Sequence, residues 1–268
     1  MTPRSVEELT HQVLSGQHGQ VRDATVSVGF LTQQGARHAD RQREYRNHVL
    51  SLRVEDEVGS CAVEPGEVTE DVVLDCVGAP VADLLRSPLR PVRVAALDAY
   101  LQWRRPHRDH AEAVVVGRGS SLQKSLHRAR CVVDLLPVGP GRRVLVVGVV
   151  NSLLHQLRER GNPYVACDYK GGRTEWGEPV VTDALAALDD CEAVLASGMV
   201  VGNGTFQPLL DHSRATGTPL VMFAQTASGV LPHFLGSGVT AVSAEPYPFF
   251  WLDGGPTTLY RYAPGGCR

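Results

Sequence analysis

Most of the residue types that could bind or transform a small molecule fall in a few short stretches of the second half. The richest is Ser197-Gly198-Met199-Val200-Val201-Gly202-Asn203-Gly204-Thr205, which follows an apolar run and leads into a helical pattern. Glycines there permit close backbone approach, and the N–H groups of the following helix favour an anionic or carbonyl oxygen. Asn203 would add an amide and Thr205 a hydroxyl; the competing reading is turn chemistry with Thr205 as an N-cap. The next polar stretch, Gln225 to His233, offers Thr226, Pro232 and His233, and it is expected beside the Asn203 loop. His233, Glu245 and Tyr247 are the acid–base candidates.

A second candidate loop is Gly148-Val149-Val150-Asn151-Ser152-Leu153. A dinucleotide fingerprint needs glycine at its first, third and sixth positions, and only Gly148 matches, so a conventional NAD or FAD site is not expected. Asp168 lies 20 residues after Gly148, where an acid commonly holds ribose hydroxyls. That spacing keeps S-adenosylmethionine or another adenosyl ligand open, against the plainer reading of a turn-capping aspartate. His107, Asp109, His110 and Glu112 form the one dense group of metal-type ligands, in a charged segment that reads as a linker. The six cysteines, at 61, 76, 131, 167, 191 and 267, contain no close pair and read as isolated thiols. No nucleophile elbow, phosphate-binding P-loop or HExxH is present.

Those loops need elements to hold them, and the pattern changes character near residue 140. Upstream, Ser5 and Glu8 make a capping box before a helix, and residues 24–31 alternate as a strand. TQQGARHADRQREY reads as a loop or hairpin tip, followed by strands near residues 48–54 and Cys61, and by helices opened at Pro80 and Pro91. Tyr45, Arg46, His48 and Glu64 are polar residues that could face a cleft between two domains. Downstream, apolar runs at residues 143–149, 163–168, 192–197, 219–224 and 239–243 alternate with helical patterns, which predicts a doubly wound parallel sheet. The expected division is a small α+β domain over residues 1–110 and a Rossmann-like domain over residues 111–268.

The chain has 268 residues, 43% hydrophobic and 21% charged, with 26 basic against 29 acidic side chains. That composition excludes a disordered or fibrous chain, and the slight negative balance gives no electrostatic basis for nucleic acid. The longest apolar run, Val144 to Val150, is too short to span a membrane, and the first residues lack the apolar core of a signal peptide. A cytoplasmic protein is expected, with homo-oligomerisation left open.

The segment from Val194 to Ala244 resembles the heavy-metal chelation family of uncharacterised proteins. The resemblance rests on Ser197-Gly198, Asn203-Gly204-Thr205, Pro232 and Gly238-Val239, and upstream on GAPVADLL and VRVAALDAYL. Asp98 stands where an asparagine is usual in that family. The resemblance implies an enolase-amino-terminal-like domain packed on a Rossmann-like domain, with a site in the cleft between them, and the handling of a metal or metal chelate. Backbone and hydroxyl donors suit an oxygen-rich chelate or a small anionic metabolite better than a naked soft metal. The alternative is an adenosyl-dependent enzyme of specialised metabolism with Asp168 on the ribose.

Overall fold

A computed structural model describes residues 2–37, 44–247 and 254–263. The chain opens with α1 (Val6–Leu14), capped by Ser5, whose hydroxyl accepts from the Glu8 amide. β1 (Val26–Arg37), β2 (Glu44–Val54) and β3 (Glu57–Val63) then form a three-stranded antiparallel sheet. The TQQGAR part of the expected loop is therefore strand: Gln33 pairs with His48 and Gln34 with Asn47. Residues 38–43 of that loop lie outside the described residues. α2 (Glu70–Cys76), α3 (Val81–Leu84) and α4 (Arg90–Arg104) follow, with Pro91 in the first turn of α4.

The second sheet is built from β4 (Glu112–Val116), β5 (Val144–Val147), β6 (Tyr164–Cys167), β7 (Ala193–Ser197), β8 (Leu220–Ala224), β9 (Val239–Ala244) and β10 (Thr257–Tyr262). Its order is β4-β10-β9-β8-β7-β5-β6. The five strands from β9 to β6 are parallel, as their apolar runs require, while β10 is antiparallel to both neighbours. The sheet is thus mostly parallel, as the sequence pattern predicts, with antiparallel β10 inserted between β4 and β9. Its helices are α5 (Ser121–Val133), α6 (Asn151–Arg160), α7 (Met199–Asn203) and α8 (Phe206–Thr216). No helix among the described residues is long and apolar enough to cross a membrane.

Alternation along the strands assigns each sheet face its cover. Val144, Val146, Leu195, Val221 and Ala241 pack with α5 and α6. Leu145, Val194, Ala196, Met222 and Val242 share the opposite cluster with α8 and with Leu50, Leu52, Leu97 and Tyr100 of the amino-terminal elements. The small sheet and α4 therefore occupy the place of covering helices on that face, and the core is continuous across the join.

Candidate functional site

Among the parallel strands the order β6-β5-β7-β8-β9 reverses direction between β5 and β7, because the chain leaves β5 for one neighbour and builds β7 on the other side. Such a switch point leaves a crevice beyond the strand ends, since the two flanking connections depart to opposite faces. By that rule the loops Gly148–Asn151 and Ser197–Gly198 are its candidate walls. Gly148 has φ +88°, and a Cβ on it would come 2.8 Å from the Ser197 Cβ, so the floor requires glycine. Asn151 begins α6, a helix whose N-cap, Val150, has no side chain to fill the first amides. Asn151 is 3% exposed, and its Oδ1 has no hydrogen-bond partner. Ser152 beside it meets Ser125 of α5 at 2.5 Å, which joins the starts of the two helices.

Pairing register places Gly148, Ser197, Phe223 and Ser243 at one height across β5, β7, β8 and β9, on the face covered by α5 and α6. One step further out on that face come Gln225 and Glu245. Glu245 is 3% exposed and takes two bonds from Arg128, at 2.7 and 2.8 Å, and a third from Gln225 at 3.3 Å. Arg128 also donates to the Thr257 hydroxyl at 3.0 Å. Glu245 thus anchors α5 to the sheet edge. Buried Lys124 of α5 donates to the Gly255 carbonyl nearby.

The opposite face, where the sequence suggests an interdomain cleft, is closed by direct bonds. The Ala227 amide donates to the Ser60 carbonyl at 2.9 Å, with Ala227 at φ +53°. Asp98 of α4 accepts from the amides of Ser60, at 2.7 Å, and Gly229, at 2.6 Å. Burial pushes the Asp98 carboxyl up to about 7 against the opposing pull of those amides. Tyr247, 3% exposed, shares a 2.7 Å hydrogen bond with Thr32 of β1. Burial raises the Tyr247 phenol while that bond lowers it.

The other sequence candidates divide between these regions. Gly198 fits tightly, since a Cβ there would lie 2.1 Å from the Thr226 carbonyl, so Ser197–Gly198 and Thr226 do adjoin. Asn203 ends α7, and Gly204 and Thr205 follow it, with Gly204 beside Arg90; Asn203 is exposed and its Oδ1 takes both the amide and the hydroxyl of Thr205. Asp168 accepts from the amides of Val149, at 3.2 Å, and Lys170, at 3.1 Å, tying the β6 end to the first loop. Pro232 is buried in a 3-10 turn with His233. The His233 ring meets His18 edge-on with centroids 5.0 Å apart, and burial first, then His18, lowers it to about 3. The Tyr45 side chain is outside the description, and Glu64 is an exposed neighbour of Lys170 at 3.7 Å.

The donor set does not fit a metal ion held by protein groups. Among the described residues no three His, Cys, Asp or Glu side chains converge, and the five cysteines are all buried and separate. Burial holds Cys167 and Cys191 protonated, up to about 11, whereas a soft metal needs thiolate. His107 is buried against the Tyr262 hydroxyl at 2.8 Å, while His110 is exposed, so the HxxH segment supplies no shared site. Sequence reasoning missed Arg128, Ser125 and Lys124, because their helix reads as an ordinary amphipathic bridge; only the appearance of basic residues on its otherwise buried stripe hints at them.

The strand order, the switch point between β5 and β7, and the small antiparallel sheet on one face define a mixed α/β protein built on a doubly wound, mostly parallel sheet. Residues 131–244 match the family model described as "DUF364: Putative heavy-metal chelation". The chain is similar to a protein of unknown function of that family from Desulfitobacterium hafniense DCB-2, with 16% identity, TM-score 0.60, and coverage of 92% of this chain and 88% of that one. A second protein of the family, from Pyrococcus horikoshii, gives 14% identity and TM-score 0.53 over 95% and 99% of the two chains. At those identities the likeness speaks for the fold. No curated protein matches the sequence. The family description connects the matched segment with metal handling.

Proposed function

We propose that the protein binds a small oxygen-rich ligand, a metal chelate or a related anionic metabolite, in the crevice between the loops after β5 and β7. The observation that carries this reading is Asn151: a carbonyl oxygen kept from water without a partner, at the uncapped start of a helix, on the switch point of the sheet. Leaving such a group unpaired costs about 1–3 kcal/mol, a cost offset when a ligand supplies the missing partner. With the amide turned over, the same position presents N–H groups beside the helix amides and suits a carboxylate. The metal, in this reading, arrives already wrapped by its chelator, because the described residues offer no converging ligand set.

Ferric citrate, free ferric ion and S-adenosylmethionine, each added to the native protein and to Asn151→Ala in a thermal-shift series, test the proposal. A ligand specific to the folded state at a hundredfold excess over its dissociation constant adds about 2.7 kcal/mol. Ferric citrate is expected to stabilise the native protein. Asn151→Ala should lose that shift while melting no lower than native, because it removes an unpaired polar group. An equal shift in both proteins would overturn the assignment. The adenosyl reading draws on Asp168 at the end of β6; a shift with S-adenosylmethionine alone, abolished in Asp168→Ala, would replace the chelate reading with it.

A further inference from the structure

The seven-stranded sheet has two outer strands, and they differ. β6 is covered by the chain that follows it: the Asp168 amide donates to the Val181 carbonyl and the Val181 amide to the Ala166 carbonyl, both at 2.9 Å. β4 pairs with β10 on one side and, among the described residues, has no strand on the other. Its sequence, Glu-Ala-Val-Val-Val, lacks the lysine, proline or bulge that guards an open edge against pairing with another chain. Val116 and Val114 pack with Cys131 and Leu259 beneath α5, while Ala113 and Val115 face solvent, Val115 with 61% of its surface exposed.

We propose that β4 is a self-association edge, on which a second copy of this chain pairs antiparallel about a twofold axis through Val115. Charge selects that register. Centred on Val115, the pairing sets Val114 opposite Val116 of the second copy, Ala113 opposite Gly117, and Glu112 opposite Arg118, so an opposite-charge pair closes each end. A twofold through Val114 would instead set the Glu112 carboxylate against Val116. Glu112 has room to turn outward, being 64% exposed and only loosely placed, at 3.9 Å, from Arg261. The two exposed Val115 side chains then cover each other at the centre, and one sheet runs through both copies. Isologous pairing of this kind closes at two subunits. A five-residue edge covers less than the roughly 800 Å² per partner of a standard stable interface, so the dimer is reversible and concentration-dependent.

Sedimentation of the full chain across a concentration series tests this, with folding of each variant checked by circular dichroism. The native protein is expected to move from the mass of one 29.0 kDa chain towards twice that mass. Val115→Lys should remain a monomer throughout. Arg118→Glu alone should weaken association, and Glu112→Arg added to it should restore it. Because Val115 meets its own copy on the axis, Val115→Cys, at a position 61% exposed, should oxidise to a cross-linked dimer faster than Leu74→Cys on α2, at a position 69% exposed. A native protein that stays monomeric, or a dimer untouched by Val115→Lys, or equal cross-linking of the two cysteine variants, would overturn the proposal.

Discussion

Two buried acids hold the large sheet to its two covers, and they do so by different chemistry. On one face Glu245 meets the Arg128 guanidinium of α5 through paired hydrogen bonds. On the other Asp98 has no cation: its two oxygens take two backbone amides, one from β3 and one from the turn after β8. A fork-shaped cation on a carboxylate fixes both distance and plane, so α5 is docked rigidly beside the crevice. Amide dipoles fix the seam without adding charge, and they leave the buried Asp98 carboxyl close to neutralisation at ordinary pH. The difference assigns a static role to the α5 side and a titratable one to the seam.

The largest expected effect comes from breaking the charged side. Arg128→Met removes the cation and leaves Glu245 buried with only Gln225, at a cost of about 3–5 kcal/mol. The double replacement Arg128→Met with Glu245→Leu removes both charges and should recover most of that loss, as urea denaturation would measure. If the single variant unfolds no more easily than native, the contrast between the two faces fails.

On the seam, Asp98→Asn should cost about 1–3 kcal/mol, because one amide must set its N–H₂ against the N–H of either Ser60 or Gly229. Two facing donors need two acceptors, which aspartate supplies and asparagine does not.

The buried acid and the buried histidines give stability a pH dependence. The folded state raises Asp98 from 3.8 to about 7, so its contribution is fullest below 3.8 and is lost as pH rises towards 7. His107 and His233 go the other way: burial first, then Arg105 for His107 and His18 for His233, lowers each from 6.5 to about 3. Their contribution is full above 6.5 and is lost as pH falls towards 3. Two histidines outweigh one aspartate, so stability of the native protein should rise with pH between about 4 and 6.5. Chemical denaturation across that range should show a steeper rise for Asp98→Asn and a shallower one for His233→Gln. Parallel curves would remove the titratable seam.

Which parts were legible in the sequence follows from where alternation had a buried face to report. The parallel strands at Val144, Ala193 and Leu220 stand out because both of their faces are covered, giving continuous apolar runs. The outer part of the β1–β2 hairpin escaped because it extends beyond the core, so Gln33, Gln34 and Asn47 show no apolar period despite regular pairing. β10 went unread although Thr257, Leu259 and Tyr262 are buried, since short alternation behind a Gly-Gly-Pro turn resembles a tail. The α7 sequence has the glycine content of a loop, yet its glycine at 202 admits Cys61 of β3, a contact remote in sequence. The crevice residues Gly148, Asn151 and Ser197 were found by the strand-end rule, whereas the Arg128–Glu245 pair joins positions 117 apart that no local pattern connects.

The smallest effect concerns the bond that joins the sheet edge to the outer hairpin. Tyr247 shares a hydroxyl–hydroxyl bond with Thr32 at 2.7 Å, and Thr32 also leans on the Val49 carbonyl at 3.4 Å. Tyr247→Phe keeps the buried ring and removes only the hydroxyl, so about 1 kcal/mol should be lost. Thr32→Val should cost a similar amount, and the two together scarcely more than either, because they remove one shared bond. That coupling, read from a double-mutant cycle, separates a true bridge across the seam from two independent buried hydroxyls. Neither variant should alter the slope of stability with pH, since the bridge holds no group that titrates between 4 and 6.5. A slope change in Tyr247→Phe would mean that the bridge and the Asp98 knot open together, making the seam one cooperative element rather than two separate ties.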